Sequence, residues 1–172
     1  WLNLFNLQAA GDSSLSFDQE EWDGSIIGAD LASKQDIASS LTLCWKGSAE
    51  NRHYYAFSKN YVPEVALEKP ENAHYQAWAH AGHLIATPGT MISLTQIEED
   101  IKETTRAIGC REFAKDPWGG HQMGANLEEE GITVVDIPQQ VRYLSDPMKE
   151  IAALIDAGRF HHDGNPAFVW MM

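Results

Sequence analysis

The pattern of apolar and polar positions is clearest in the first quarter of the chain, where two apolar runs flank a short polar segment. The first run, residues 26–29, leads directly into Asp30, and the second resumes after a polar turn at Ser33–Asp36. Two apolar runs separated by a polar turn are typical of a β-hairpin. We therefore predict strands over residues 25–31 and 36–45, with Asp30 at the point where the first strand leaves the core.

The pattern after the hairpin predicts a third strand and then helices that alternate with strands. The clearest helix signal is the pair Ser93 and Gln96, which has the spacing of a capping box and precedes an apolar periodicity that ends at Gly109. The predicted strands cover residues 51–61, 110–117 and 132–139. The predicted helices cover residues 71–81, 93–108 and 118–130. A further helix is opened by Ser145 and Pro147 and closed by Gly158, and the last one starts at Asn165–Pro166.

This order of elements predicts an α/β fold in which helices flank a mixed central β-sheet. A chain of 172 residues suits one such domain with a real core. Residues 1–24 are rich in polar side chains, and we expect them to form a connector that packs loosely against a domain spanning 25–172. No apolar run is long enough for a membrane-spanning helix, so we expect no membrane partner.

The composition and net charge bear on whether the protein binds DNA and on the compartment in which it works. The net charge is −13, with only 12 lysines and arginines, whereas non-specific DNA binding is driven by cations that displace counterions from phosphate. Any contact with DNA is therefore expected to be local, metal-assisted or supplied by another domain. Two cysteines, Cys44 and Cys110, provide no disulfide framework; they are interpreted as ordinary core residues of a protein in a reducing cytoplasm.

Two aspartates at predicted strand ends are the main candidates for chemistry. Asp30 ends the first strand, and Asp116 ends the strand over 110–117 just before Pro117. If these strands are parallel neighbours, the two carboxylates converge at one edge of the sheet, where they could hold Mg²⁺ or Mn²⁺. Two structural alternatives stay open, because turn amides could hold Asp30 and an aspartate before proline is also a common turn residue.

Histidines supply a competing metal site. The pairs His80 and His83, and His161 and His162, offer closely spaced imidazoles with His74 nearby, and zinc favours such ligands. The first pair is separated by Gly82, which is predicted to end a helix, and neighbouring residues such as the second pair point in different directions. The carboxylate site is therefore preferred. The phosphate-binding loop, the dinucleotide fingerprint and the serine nucleophile elbow are absent from the sequence, which disfavours nucleotide-binding and serine hydrolase functions.

Three segments stand out in order along the chain: IIGADLASKQDIASSL at 26–41, REFAKDPWGG at 111–120, and LIDAGRFHHDGNPAFVWMM at 154–172. Together they resemble the nuclease half of the large terminase subunits of tailed bacteriophages, in particular the HK97-like group. The family pattern has a G-x-D-L-[AS] strand, a Y-D-P-W strand end and an H-x-G-N-P-x-x-x-W segment. The resemblance covers about residues 25–172.

The resemblance implies an RNase H-like fold and two-metal hydrolysis of phosphodiester bonds. Carried over by motif, Asp30 would bridge two Mg²⁺ or Mn²⁺ ions and Asp116 would ligate one of them. Asp36 belongs to the hairpin pattern and is interpreted as a supporting or structural residue. The implied biology is the cutting of concatemeric, double-stranded viral DNA during packaging in the host bacterial cytoplasm. The implied partners are a terminase ATPase domain, which residues 1–24 would follow, the small terminase subunit and the portal protein.

The sequence departs from the family at its third acidic residue. In the family this residue lies downstream of the H-x-G-N-P segment, usually in a Lys-Ile-Asp pattern, and we therefore expect it beyond Met172. Asp163 is the nearest carboxylate and is a candidate stand-in metal ligand, although it lies in a different motif. A second hypothesis follows, in which the domain is a catalytically incomplete prophage remnant or a docking module of the packaging motor. Resolvases and transposases, which share the fold class, are disfavoured by the DPW and HDGNP segments.

Overall fold

The computed structural model describes residues 2–18, 21–31 and 36–172, and in this part of the chain helices and strands alternate as expected for an α/β fold. The strands are β1 (Gly24–Asp30), β2 (Ala38–Lys46), β3 (His53–Pro63), β4 (Ile85–Thr87), β5 (Glu112–Lys115), β6 (Thr133–Asp136) and β7 (Phe160–His162). The helices are α1 (Leu4–Ala9), α2 (Glu64–Leu67), α3 (Ala73–His80), α4 (Leu94–Ile108), α5 (His121–Glu129), α6 (Val141–Asp156) and α7 (Pro166–Met171).

The strands form a single mixed sheet in the order β4-β3-β2-β1-β5-β6, and β7 also pairs with β3. The hairpin β1–β2 is antiparallel, with Asp30 opposite Ser39, and β2 is also antiparallel to β3. The pairs β1–β5, β5–β6, β3–β4 and β3–β7 are all parallel. All described strands except β2 therefore run in one direction, and their carboxyl ends share one edge of the sheet.

Helices cover both faces of the sheet because each strand alternates its side chains between two cores. Tyr61 of β3 belongs to the core that includes Phe113 of β5 and Ile101 of α4. Ala56 of the same strand belongs to a second core with Leu7 of α1 and Phe168 of α7. Residues 61 and 56 differ in parity, so they point to opposite faces. The predicted mixed sheet flanked by helices is confirmed.

Most predicted elements form close to their expected positions. The hairpin strands and the third strand begin and end within two residues of the prediction. The Ser93 hydroxyl accepts a hydrogen bond from the Gln96 amide at 3.3 Å, and Gly109 ends α4 in the left-handed conformation with φ 67°. Of the predicted hairpin turn, Ser33–Gln35 lies outside the described residues.

Residues 1–24 were expected to form a connector that packs loosely, and this expectation is wrong for the part that the structure describes. Residues 4–9 form α1, and Leu7 is fully buried in the second core. Phe17 and Trp22 pack on Phe57 and Tyr55, with ring centroids 5.9 Å and 5.0 Å apart. A six-residue helix is too short to show a periodicity, so only tertiary packing reveals it. The proposed domain boundary at residue 24 stays a prediction.

The predicted start of the sixth helix is also wrong. It was placed at Ser145 and Pro147 because proline favours the first turn of a helix, but α6 begins at Val141 and contains Pro147 in its interior. A proline there removes one backbone hydrogen bond to the carbonyl of Tyr143. Pro147 is exposed, so water can hydrate that carbonyl and the helix continues.

Several short elements gave no usable pattern in the sequence. The three-residue strands β4 and β7 and the four-residue helix α2 were not predicted, because a segment of three or four residues cannot display a hydrophobic period. Within the described residues, no helix is long and apolar enough to cross a membrane.

Candidate active site

Asp30 and Asp116 lie at neighbouring positions of the sheet edge. Asp30 is the last residue of β1, and Asp116 directly follows β5. The two strands are parallel neighbours with Ala29 opposite Lys115, so the two aspartates are the next positions along adjacent strands, which lie about 4.8 Å apart. The condition that the sequence imposed for convergence, parallel neighbouring strands, is therefore met.

Both side chains line one cavity of about 590 Å³ at this edge. Asp36, at the start of the segment that leads into β2, lines it too. We call this space the carboxylate cavity; its other lining residues are apolar or glycine, namely Leu31, Ile37, Met91, Ile92, Leu94, Trp118, Gly119 and Gly120. A larger cavity of about 910 Å³ lies between α1, α3 and α7 and contains none of these aspartates.

The Asp30 side chain is exposed, so the cost of burying a carboxylate is not what marks this residue as a candidate ligand. The sequence suggested a carboxylate that is costly to bury, but the last residue of a strand at the sheet edge projects into the cavity and keeps its hydration. Its carboxylate accepts no hydrogen bond from the residues that the structure describes. The turn amides that could have held it belong mostly to residues 32–35, outside that part of the chain.

Asp116 is half-buried and partly held in place by its own turn. Its Oδ1 accepts a hydrogen bond from the backbone amide of Trp118 at 2.6 Å. Its Oδ2 lies 3.6 Å from the position that a Cβ atom would occupy on Gly119. At Gly120 the backbone has φ 63°, and a Cβ atom would come within 2.6 Å of Leu31 Cδ1. The turn after β5 therefore needs glycine at position 120, whereas a Cβ atom at position 119 would make only ordinary contacts.

Lys115 is a positioning residue that the sequence did not single out. Its side chain is buried and its Nζ contacts Asp136, at the end of β6, at 2.7 Å. The same Nζ donates a hydrogen bond to the backbone carbonyl of Asp116 at 3.1 Å. This lysine thus ties the carboxyl ends of β5 and β6 together. The sequence did contain an indication of this role, because a lysine at a core-facing strand position must find a hydrogen-bond or ion-pair partner.

Asp163 is not brought to the carboxylate cavity. It follows β7, and its Oδ2 and Oδ1 accept hydrogen bonds from the backbone amides of Ser58 and Asn165, at 2.9 Å and 3.0 Å. Because β7 pairs with β3, Asp163 is separated from β1 by three strand spacings, about 14 Å. Both oxygens stabilise the turn that leads into α7.

The histidines of the competing zinc hypothesis do not assemble into one site. His162 is buried, and its Nε2 contacts the carbonyl of Leu7 at 2.9 Å. His161 points the other way, with its Nε2 3.0 Å from Nδ1 of His53. Burial, followed by repulsion from His53 and His162, lowers the pKa of His161. Within residues 2–18, 21–31 and 36–172, no three His, Cys, Asp or Glu side chains are grouped closely enough to hold a metal ion.

The donor chemistry of the carboxylate cavity nevertheless fits a hard divalent cation. Mg²⁺ prefers oxygen ligands and is commonly held by one or two protein carboxylates, with water completing its coordination. Asp30 and Asp116 supply two carboxylates at one cavity, and the apolar lining around them offers no competing nitrogen or sulfur donor among the described residues, the methionine thioether of Met91 apart.

Comparison with known proteins agrees on one family. The family model for the terminase large subunit, endonuclease domain, matches residues 4–172. Protein YmfN of Escherichia coli (strain K12) is 34% identical over 178 residues, which cover 99% of this chain and 39% of YmfN. The chain therefore spans about two fifths of the length of this relative.

Solved structures share the fold. The HK97 bacteriophage large terminase superposes with a TM-score of 0.79 at 20% identity, over 98% of this chain and 35% of that one. The large terminase nuclease from thermophilic phage G20c gives a TM-score of 0.57 at 12% identity, over 98% of this chain and 78% of that one. The G20c nuclease has also been solved with bound zinc and with bound magnesium. With a family model that spans nearly its whole length, the chain belongs to the terminase large subunit endonuclease domain family.

Proposed function

We propose that this domain is a metal-dependent DNA endonuclease that cuts concatemeric viral DNA during genome packaging. The observation that carries the proposal is the placement of Asp30 and Asp116 at one cavity, on adjacent parallel strands. A G20c relative with the same fold has been solved with magnesium, which supports a divalent cation as the cofactor. Double-stranded DNA is the proposed substrate, and the host bacterial cytoplasm is the proposed location.

Asp30 and Asp116 would hold Mg²⁺ or Mn²⁺. When bound, such ions supply an activated water and stabilise the charge that develops on the leaving oxygen. The protein contributes the placement of the ligands. The Trp118 amide orients one oxygen of Asp116, and Lys115 fixes the backbone carbonyl of the same residue. Asp36 lines the cavity as a supporting residue. Asp163, whose two oxygens are engaged elsewhere, has no place in this proposal.

The third carboxylate of the family pattern is proposed to lie outside residues 1–172. The Ser39 hydroxyl contacts Met171 Sδ at 3.5 Å, and Ser39 lies directly opposite Asp30 in the hairpin. A segment continuing from α7 would therefore start one strand away from Asp30. A terminase ATPase domain, the small terminase subunit and the portal protein are the proposed partners.

Cleavage of supercoiled plasmid tests the proposal. We expect Mn²⁺ or Mg²⁺ to support cleavage and EDTA to abolish it. Asp30→Ala and Asp116→Ala should each lower the rate at least about a hundredfold, because each removes a ligand from the proposed cation site. Asp146→Ala is the matched control, since Asp146 is an exposed carboxylate on α6 that contacts only Lys149 among the described residues. Unchanged cleavage by Asp30→Ala would contradict the assigned role.

A second candidate function is a docking module of the packaging motor, or a prophage remnant, that has the fold without the activity. The lack of a three-ligand group among the described residues favours it. The two candidates separate when cleavage by residues 1–172 is compared with cleavage by the protein extended past Met172. Cleavage that appears with the extension, and that Asp30→Ala removes, would rule out the docking module; no cleavage in either protein would support it.

A further inference from the structure

Trp118 is the most exposed large hydrophobic side chain among the described residues, and it stands at the rim of the carboxylate cavity. Its exposed fraction is 89%, compared with 58% for Trp170. Two other exposed apolar side chains, Met91 and Leu94, line the same cavity. An indole exposed to this degree contributes little to the core, although indoles usually bury most of their surface. Its position beside two strand-end aspartates indicates a role in binding rather than in core packing.

The backbone that carries this indole is held in a defined position. Pro117 fixes its own φ angle, and the Trp118 amide donates to Asp116 at 2.6 Å. Two residues later the chain adopts a left-handed conformation at Gly120, which packs against Leu31. The indole is therefore attached to the same short turn that orients Asp116. A substrate bound at Asp116 would therefore lie beside the turn that carries the Trp118 ring, at the same cavity.

The charge of the domain makes a contact of this kind useful. With a net charge of −13, the domain gains little from the counterion release that drives most DNA binding. Stacking of a base on an aromatic ring contributes affinity without cations and tolerates any base, because every base has a π-face. A base inside a duplex is already stacked on its neighbours. An exposed ring on a rigid turn therefore favours a base that is unpaired or can be unstacked.

We propose that Trp118 is a substrate-binding residue that stacks on an unpaired nucleobase next to the phosphodiester bound at Asp30 and Asp116. The inference rests on the proposed nuclease function and specifies its substrate as DNA that is locally opened. Two consequences for DNA binding are expected. Cleavage favours a single strand or a bubble over a fully paired duplex of the same sequence, and the Trp118 contact is insensitive to salt.

Steady-state cleavage in Mn²⁺ with a labelled single-stranded oligonucleotide tests the inference. Trp118→Ala should raise KM about tenfold or more, with a smaller change in kcat. Trp118→Phe should retain most of the affinity because it keeps an aromatic face, whereas Trp118→Leu should resemble Trp118→Ala. The salt dependence of KM should have the same slope in all four proteins. Phe5→Leu is the matched control, because Phe5 is an exposed aromatic residue, 77% accessible, on the distant helix α1.

Quenching of tryptophan fluorescence by the same oligonucleotide gives a readout that does not need cleavage. We expect wild type to be quenched on titration and Trp118→Phe to show markedly less quenching. Equal KM values for wild type and Trp118→Leu, or quenching that survives Trp118→Phe, would overturn the inference. The proposed function fails separately: cleavage that is independent of Asp30 refutes it even where Trp118-dependent quenching is observed.

Discussion

Two aspartates that follow strands in this fold are used in opposite ways. At the end of β1, Asp30 is exposed and faces the carboxylate cavity. After β7, Asp163 has each of its oxygens bonded to a backbone amide. The residue type and the kind of position are the same, but the exposure and the hydrogen-bond partners differ. A carboxylate that accepts backbone amides stabilises a turn, whereas one that faces a cavity can accept a ligand.

The comparison also separates two kinds of turn. After β5, the turn at 116–120 leaves Asp116 half-buried at the cavity and uses a single amide bond to orient it. After β7, the turn at 163–165 is bonded on both sides, because the Asn165 side chain also accepts from the Ala167 amide and caps α7. Function is thus expected where the hydrogen bonds of a strand-end carboxylate are incomplete.

The same substitution, aspartate to alanine, is expected to have very different effects on stability at the two positions, and the larger effect is at Asp163. Asp163→Ala removes the acceptor of two backbone hydrogen bonds and should lower the free energy of unfolding by about 2 kcal/mol. Asp30→Ala removes no hydrogen bond from the described residues and should change it by less than about 0.5 kcal/mol. Urea unfolding of both variants measures this. A loss of stability in Asp30→Ala equal to that in Asp163→Ala would erase the distinction between the two regions.

Thermal unfolding in the presence of Mg²⁺ tests whether the cation binds at Asp30 and Asp116 and not at Asp163. At a Mg²⁺ concentration ten times Kd, a ligand that binds only the native state adds about 1.4 kcal/mol, which for a chain of this length raises Tm by about 3–6 °C. Wild type and Asp163→Asn should show this shift, and Asp30→Asn and Asp116→Asn should not. A shift of the same size in Asp30→Asn would place the bound cation elsewhere.

The smallest expected effect is a pH dependence on the β7 side of the sheet. The pKa of His161 is lowered in the folded state, first by burial and then by His53 and His162. The unfolded chain therefore takes up this proton first as the pH falls. The contribution to stability is complete above about pH 6.5 and is lost as the pH decreases towards the lowered pKa. His161→Gln should flatten this part of the stability profile, and His80→Gln, at an exposed position of α3, should leave it unchanged.

The prediction of the fold succeeded where the chain has long periodic segments. Helix α4 was placed from Ser93 to Gly109 because its cap, its apolar period and its terminal glycine all agree. The hairpin was placed from two apolar runs on either side of a polar turn, and its register is observed along the whole of β1. Helix α1 and strands β4 and β7 were missed because their few residues acquire a structure only through packing on the sheet.

The candidate site was predictable only in part. The motifs around Asp30 and Asp116 indicated the two positions and the family, and the family is confirmed by the match over residues 4–172. Their roles as metal ligands stay predictions. Asp163 could not be judged from the sequence, since the amides that engage it belong to Ser58, more than a hundred positions earlier, and to its near neighbour Asn165. Lys115 was missed for a similar reason, because its partner Asp136 lies on another strand.

The sequence by itself determined the β1–β2 hairpin, the long helix α4, the mixed α/β class, and the two aspartates at the carboxyl ends of β1 and β5. Those features depend on local periodicity, capping and motif order, all of which are written along the chain. The tertiary structure decided which carboxylates face a cavity and which are held by amides, and it placed Trp118 at the rim of that cavity. These outcomes depend on contacts between strands that are far apart in sequence, since only strand pairing brings Asp30 beside Asp116 and keeps Asp163 away from both.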